Sequence, residues 1–479
     1  TYQMKMKKLT VLIFCLLTTI LTYATNVKVE NIRVLDRKGV LQTPLCVNFD
    51  LKWENAWNND KNHDAIWVFM KFNYPWDSRV VLKKSGHKVL QNRIKGSPNP
   101  TIEVSDDGLG FFIYPSANYR GDQNFKLQIL IDTTGQKIGY QKITGLTVHA
   151  LEMVHIPKGS FTLGSPDEAA IKRSSLYKSD ASGEPNGLIT INSEAEIEVA
   201  AKDGALYYWS ENEVYNGDQK GPIPDEFPKG FDPFYIMKYE LTQGQYADFL
   251  NSIREGWSFQ RAPIGGKKYY EKRGSIILSN DKYVAKSPNR PMNFVSFMDA
   301  LAYSDWAGLR PITELEYEKA ARGPSQPIDA EFVWGTNDYD QMERYVDKDF
   351  ELVLKNGRDE SQLTDTNRPV FGASYYWVMD LSGSVWEKVI TIGNDVGRSF
   401  KGSHGDGRLN FGKATNPDWP KSDDEVGGFG YRGGGYYQIG TSYSDFNPHS
   451  PIGYRYYGAW SGGPRSIAYG YRAGRSVDK

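Results

Sequence analysis

The sequence predicts an α+β chain in two parts, an N-terminal β-sandwich and a larger region with little regular secondary structure. Three observations predict it. Residues 26–150 carry short alternating apolar runs separated by polar turns, at strand spacing for a small sandwich. Beyond residue 150 only three stretches carry a helical period, two of them opened by capping boxes. The 479 residues also include 47 Gly, 31 Tyr and 12 Trp, a composition of many turns fastened by large rings.

The chain opens with a targeting pattern. Lys5, Lys7 and Lys8 precede an apolar run from Leu9 to Leu21, and Thr22-Tyr23-Ala24 offers a cleavage site. That run is too short to span a bilayer, so residues 1–24 read as a signal peptide, with Thr1 to Gln3 a leader remnant ahead of Met4 or Met6. Cys15 follows Leu12-Ile13-Phe14 without the small residues of a lipidation signal. Cleavage after Ala24 leaves Cys46 as the one cysteine, so no internal disulfide is expected. The expected location is exported: periplasmic, cell-surface or extracellular. No later segment reaches the length of a membrane span. Fifty-seven basic residues against 58 acidic ones give a net charge of −1, which argues against a nucleic-acid partner.

Residues 25–150 form the expected sandwich, of immunoglobulin-like type. Val47, Phe49, Leu51 and Trp53 alternate with polar neighbours, Ala65 to Phe72 is a denser apolar strand, and Phe125 to Ile131 alternates again. Trp53, Trp57, Trp67 and Trp76 read as core and edge rings in preference to a carbohydrate-stacking set. The second domain, residues 151–479, starts with a strand at Met153 to Ile156 that enters a Gly turn. Residues 166–230 are polar, turn-rich and weakly periodic, and read as an inserted or loosely ordered excursion. Thr242 and Gln245 make a capping box ahead of Tyr246, Phe249, Leu250 and Ile253, which share one helical face. Thr313 and Glu316 make another ahead of Leu315 to Arg322, and Phe297 to Leu309 is a helix ended near Gly308 and Pro311.

From Met153 onward, motifs in a fixed order carry a family resemblance. They are Met153 to Gly164 (MVHIPKGSFTLG), Phe234 to Leu250 (FYIMKYELTQGQYADFL), Pro291 to Trp306 (PMNFVSFMDALAYSDW) and Ile312 to Gly323 (ITELEYEKAARG). Val333 to Gly335, Met379 to Glu387 (MDLSGSVWE), Arg432 to Gly434 and Tyr469 to Arg472 (YGYR) follow. Over about 320 residues this resembles the formylglycine-generating-enzyme, or sulfatase-modifying factor, family, a variant of the C-type-lectin fold. The resemblance implies an oxidase with a copper-holding cysteine pair near the C-terminus. Counted from Arg432, those positions hold Gln438 and Tyr443, and no cysteine follows residue 46. Soft thiolates are what copper(I) requires, so formylglycine-generating activity is disfavoured and no catalytic residue is assigned. The six histidines, His63, His87, His149, His155, His404 and His449, show no metal-ligand spacing. Glu316 and Glu318 do not share a helical face, so the Glu314, Glu316 and Glu318 run forms no acid/base pair. The resemblance also implies structural calcium in the loop Gly383 to Glu387, where Ser384 and Glu387 are the candidate ligands. The alternative is that Glu387 bonds the loop backbone.

The last segment suggests recognition. Residues 431–475 hold nine tyrosines, ten glycines and five serines, the composition of a paratope. The candidate ligand-binding residues are Tyr436, Tyr437, Gln438, Tyr443, Asp445, Asn447, Tyr454, Tyr456, Tyr457 and Trp460. This region coincides with the substrate face of formylglycine-type enzymes and resembles the variable face of retroelement-diversified receptors on the same fold. The expected partner is a protein, peptide or glycan ligand. A structural part in a bacterial secretion, gliding or cell-surface assembly is the alternative, and it predicts an exposed contiguous apolar patch.

Overall fold

The computed structural model describes residues 27–35, 45–72, 78–134, 145–265, 267–271, 273–349, 351–435, 451–462 and 465–478. The leader, Trp76, His449 and six of the ten face residues (Tyr436, Tyr437, Gln438, Tyr443, Asp445 and Asn447) lie outside them.

Nine strands build the N-terminal part: β1 (Lys28–Leu35), β2 (Leu45–Asn58), β3 (Asp64–Phe72), β4 (Ser78–Arg79), β5 (Lys88–Asn92), β6 (Pro100–Val104), β7 (Gly110–Pro115), β8 (Tyr119–Ile131) and β9 (Leu146–Ile156). One sheet has the order β1-β2-β8-β5. On β8 the alternation is clean: Phe125, Leu127, Ile129 and Ile131 are buried while Asn124, Lys126 and Gln128 are half-buried. The inward residues meet Ile66, Val68 and Met70 of β3 in one core, so two sheets face each other as expected. Trp53, Trp57 and Trp67 are all buried, which places them in the core.

The second sheet does more than close the sandwich. Its path runs from β6 through β7, β3 and β9 to the strands Phe234–Met237, Ala473–Ser476 and Arg310–Pro311. β9 crosses the expected boundary at residue 150 without a break, pairing Trp67 with Leu151 on one side and Tyr235 with His155 on the other. β3 is buried at every position because both its faces are covered. Ile66, Val68 and Met70 face the first sheet, while Ala65, Trp67 and Phe69 pack with residues of the helices. The sheet is therefore the middle of three layers.

Three helices form at the expected places. Helix α1 (Gln243–Ser252) has its Thr242/Gln245 capping box, α2 (Phe297–Trp306) is opened by Ser296 and Asp299, and α3 (Glu314–Arg322) by Thr313 and Glu316. Gly323 ends α3 at φ 63°, a backbone region that favours glycine. The loose order expected of residues 166–230 is not what forms. Leu176, Ile191, Val199, Leu206, Tyr208, Ile223 and Phe227 are buried in one core with Phe297 and Leu315. These apolar residues are spaced singly along turns and short ladders, so they bury without any period. Among the described residues no helix is long and apolar enough to cross a membrane.

Candidate ligand face and its buried frame

Below the C-terminal segment, α3 supplies two buried carboxylates. Glu314 and Glu318 lie one turn apart on the same face, and both accept from Arg432 Nη2 at 3.0 Å. Arg455 Nε donates to Glu314 Oε2 at 2.9 Å and Nη2 to Oε1 at 3.1 Å. Burial disfavours the Glu314 charge, yet Arg455 and Arg432 hold its carboxyl down at about 2. Glu316 faces away and pairs with Arg310, at 2.8 Å from Nη1. The three glutamates are thus paired with arginines, Glu314 and Glu318 on one face and Glu316 on another.

Arg455 also ties the segment to the formerly unassigned excursion. Its Nη1 donates to the Asn216 carbonyl at 3.1 Å, Asn216 Nδ2 donates to the Tyr456 carbonyl at 2.8 Å, and Ala459 N donates to the Tyr215 carbonyl at 3.0 Å. The rings of Tyr456, Tyr457 and Trp460 gather around Tyr215, with centroids 6.4, 5.8 and 5.7 Å away. Tyr456 is 39% exposed, and Tyr457 and Trp460 are half-buried. Tyr454 is half-buried beside them in sequence, with the Arg173 guanidinium 4.8 Å from its centroid. All four described face residues therefore reach the surface in part. Tyr215 belongs with them and was missed, since a lone tyrosine in a polar stretch 240 residues away gives no local signal.

Behind the face lies a second ring set. Trp386 meets Tyr457 edge-on at 6.0 Å, and Trp460 lies 5.9 Å from Tyr431 and 6.3 Å from Tyr469. The Lys388 ammonium sits 5.2 Å from the centroids of Phe297, Tyr431 and Tyr469. It donates a long 3.4 Å bond to the Gly470 carbonyl. Burial pulls the Lys388 amine down to about 7. The sequence signal for Lys388 is its place directly after Trp386-Glu387, where a charge follows an otherwise aromatic motif. Trp460 Nε1 and Tyr431 Oη are buried without a hydrogen-bond partner among the described residues.

The calcium candidates do not converge. Both Glu387 oxygens accept from Arg472, at 2.8 and 2.7 Å. Ser384 Oγ instead donates to Glu240 at 2.7 Å. Three hydrogen-bonded oxygens, on two side chains that serve different partners, do not fit a cation that needs several converging oxygens. Among the described residues no group of three or more His, Cys, Asp or Glu could hold a metal ion. Cys46 is buried in β2, and one thiol far from Arg432 in sequence does not fit a two-thiolate copper seat.

The sequence was compared with known families and proteins. Residues 215–432 match the family described as sulfatase-modifying factor enzyme 1-like domain. The chain is 28% identical over 207 residues to the formylglycine-generating enzyme of Thermomonospora curvata, covering 35% of this chain and 65% of that protein. It is 26% identical over 186 residues to the formylglycine-generating enzyme of Bos taurus, covering 33% and 48%. It is also 30% identical over 117 residues to the hercynine oxygenase of Mycobacterium tuberculosis, covering 22% and 27%. The chain thus spans less than two thirds of the length of these curated relatives. The family match includes α1, α2, α3 and the Met379 to Glu387 motif, and it ends at Arg432, the arginine that joins Glu314 to Glu318. Residues 215–432 thus form a domain of the sulfatase-modifying factor family.

Proposed function

We propose that the chain is an exported recognition protein that uses the family scaffold without the family's oxidation chemistry. The observation that carries this reading is the gathering of Tyr456, Tyr457, Trp460 and Tyr215 at a partly exposed face, held from below by Arg455 and Asn216. Rigid rings with polar tips recognise peptide, protein and glycan surfaces alike. The missing cysteine pair supports a binding role over catalysis, because Gln438 and Tyr443 cannot supply thiolates. Variation of this face by a retroelement is one form of the proposal. A reverse transcriptase gene and a near-copy of the 3′ end in neighbouring DNA would identify it.

The scaffold alternative finds less support. Ile32 and Leu35 are exposed on β1 and Leu90 on β5, at opposite edges of one sheet, with Asn48, Lys52, Lys126 and Gln128 between them. We further propose that Arg472 takes the charge-neutralising role beside Glu387 that calcium would otherwise have. Equal melting temperatures in calcium and in chelator are expected.

The function is tested by co-purification on the exported full-length protein, wild type against Tyr456→Ala/Tyr457→Ala. The expected result is a retained ligand or partner that the variant loses while its melting temperature holds. Formylglycine formation by the purified protein, or retention of the same partner by the variant, would overturn the reading.

A further inference from the structure

Among the described residues the two most exposed large apolar side chains are Phe411, at 77%, and Phe259, at 71%; the next, Leu278, is at 51%. Phe259 sits on a short helix, Glu255–Arg261. On that helix Trp257 packs against the core that α1 and α2 share, and Arg261, one turn further on, is buried. Phe259 lies about half a helical turn from both, so its ring points outward.

Phe411 stands at the tip of a tight turn. Asn410 and Lys413 exchange both backbone bonds, at 2.9 and 3.0 Å, which leaves Phe411 and Gly412 as the central pair. Their φ angles are 48° and 74°. Positive φ at both central positions is the pattern in which Asn-Gly is favoured, and a bulky residue is rare there. The chain thus holds an aromatic ring at its most exposed point in a backbone that disfavours it.

The two phenylalanines belong to neighbouring elements, and neither makes the joint between them. Arg261 Nε donates to the Gly412 carbonyl at 2.7 Å, and a Cβ added at Gly412 would stand 2.9 Å from the Trp257 side chain. Gly412, Trp257 and Arg261 therefore fasten the turn to the helix, while Phe259 and Phe411 project beside that seam. Exposed apolar residues of this kind mark contacts with a protein or a membrane.

The surrounding charge separates those two. In residues 254–261 and 408–413 the exposed charged side chains are Arg254, Arg408 and Lys413 against Glu255 alone. None of the three cations forms an ion pair among the described residues, whereas the buried Arg261 pairs with Asp299 at 2.9 Å. The excess is local, in a chain whose net charge is −1. Protein interfaces are depleted of lysine and seat their rings in shaped pockets. A bilayer needs no matching shape and presents phosphates at every point, which suits protruding rings flanked by free cations.

We propose that Phe259 and Phe411 enter the headgroup region of an anionic phospholipid bilayer, with Arg254, Arg408 and Lys413 on its phosphates, and so seat the protein on a membrane surface without spanning it. This contact uses none of the rings gathered around Tyr215 and holds whether or not that face binds a partner.

Co-sedimentation tests the proposal on the processed protein, freed of the apolar leader, which would bind vesicles by itself. The probes are phosphatidylcholine vesicles with and without phosphatidylglycerol. Binding is expected with phosphatidylglycerol and should be about tenfold or more weaker without it. Phe259→Ser and Phe411→Asn should each weaken binding to the anionic vesicles about tenfold, the loss of one ring's burial. Arg408→Gln/Lys413→Gln should weaken it by a similar factor and leave the weak binding to phosphatidylcholine unchanged. Phe411→Asn should also hold or raise the melting temperature, because Asn suits the turn better than Phe does. A fall in that temperature would show that the ring serves the fold, and would overturn the proposal. So would no sedimentation with anionic vesicles, or wild-type binding in both phenylalanine variants. Sedimentation without vesicles that both variants abolish would make the pair a contact between copies of the chain. A protein that co-purifies through these rings with no vesicle binding would make it a protein contact, and either result would overturn the membrane assignment.

Discussion

At Lys388 the protein keeps an amine where burial opposes its charge. The side chain is buried among Phe297, Tyr431 and Tyr469 with one long hydrogen bond, to Gly470, among the described residues. Its folded pKa is lowered to about 7 from an ordinary 10.5. Between those values the unfolded chain binds a proton that the folded chain does not, so stability rises as pH increases from about 7 to about 10.5. Below about 7 both states are protonated and the burial penalty is constant. Lys388→Met keeps the length and removes the charge, so it should stabilise the protein by about 1–3 kcal/mol near neutral pH and flatten that rise. Urea unfolding across the window checks both. A variant less stable than wild type would show that the three rings hold the ammonium better than burial penalises it. Such residues are poorly legible in a sequence, because Lys388 reads as an ordinary surface charge until Tyr431 and Tyr469 fold over it. Glu314 is similar: its spacing to Glu318 is local, but Arg432 and Arg455, which set its charge state, come more than 100 residues later.

Among the elements, those with a complete signal inside four or five residues are the ones that form as expected. Thr242 with Gln245 and Thr313 with Glu316 start α1 and α3 at the expected residues. The two caps are not equivalent. Among the described residues the Thr242 hydroxyl bonds within its own helix, whereas the Thr313 hydroxyl also donates to the Pro228 carbonyl at 2.8 Å and so anchors the preceding segment. Thr242→Ala should cost about 1 kcal/mol, and Thr313→Ala about 2 kcal/mol because a half-buried carbonyl loses its donor as well. Equal losses in equilibrium unfolding would show that the Pro228 bond adds nothing. The strands are legible where one face is wet, as on β8. β3 shows only an apolar run, because both its faces are covered and the division between its two cores leaves no alternation. Residues 166–230 defeat pattern reading for the opposite reason: Leu176, Val199 and Ile223 are buried one at a time from turns, and periodicity has nothing to find.

For the whole molecule, the junction decides whether two domains or one unit unfolds. β9 carries the sandwich on Trp67 and Leu151 and the family-like domain on His155 and Tyr235, within one ladder. Ion pairs lie along the same line: Lys238 and Glu152, both buried, pair at 2.6 Å, and the buried Arg475 reaches the exposed Asp107 at 2.7 Å. Trp67 concentrates these ties in one side chain. Its Nε1 donates to the Ala307 carbonyl at the end of α2, at 2.9 Å. Its ring lies 4.6 Å from the Arg475 guanidinium and 4.8 Å from Phe112. None of these partners is near Trp67 in sequence, which is why residue 150 reads as a domain boundary while the chain runs through it as a continuous strand. A strand hydrogen-bonded on both sides cannot release one half without exposing the other half's ladder and apolar face. Calorimetry should therefore give one cooperative transition, and Trp67→Ala should lower stability by about 3–5 kcal/mol while shifting that transition as a whole. Two transitions, with only one moved by Trp67→Ala, would mean that the halves fold separately and that β9 is a hinge between independent bodies.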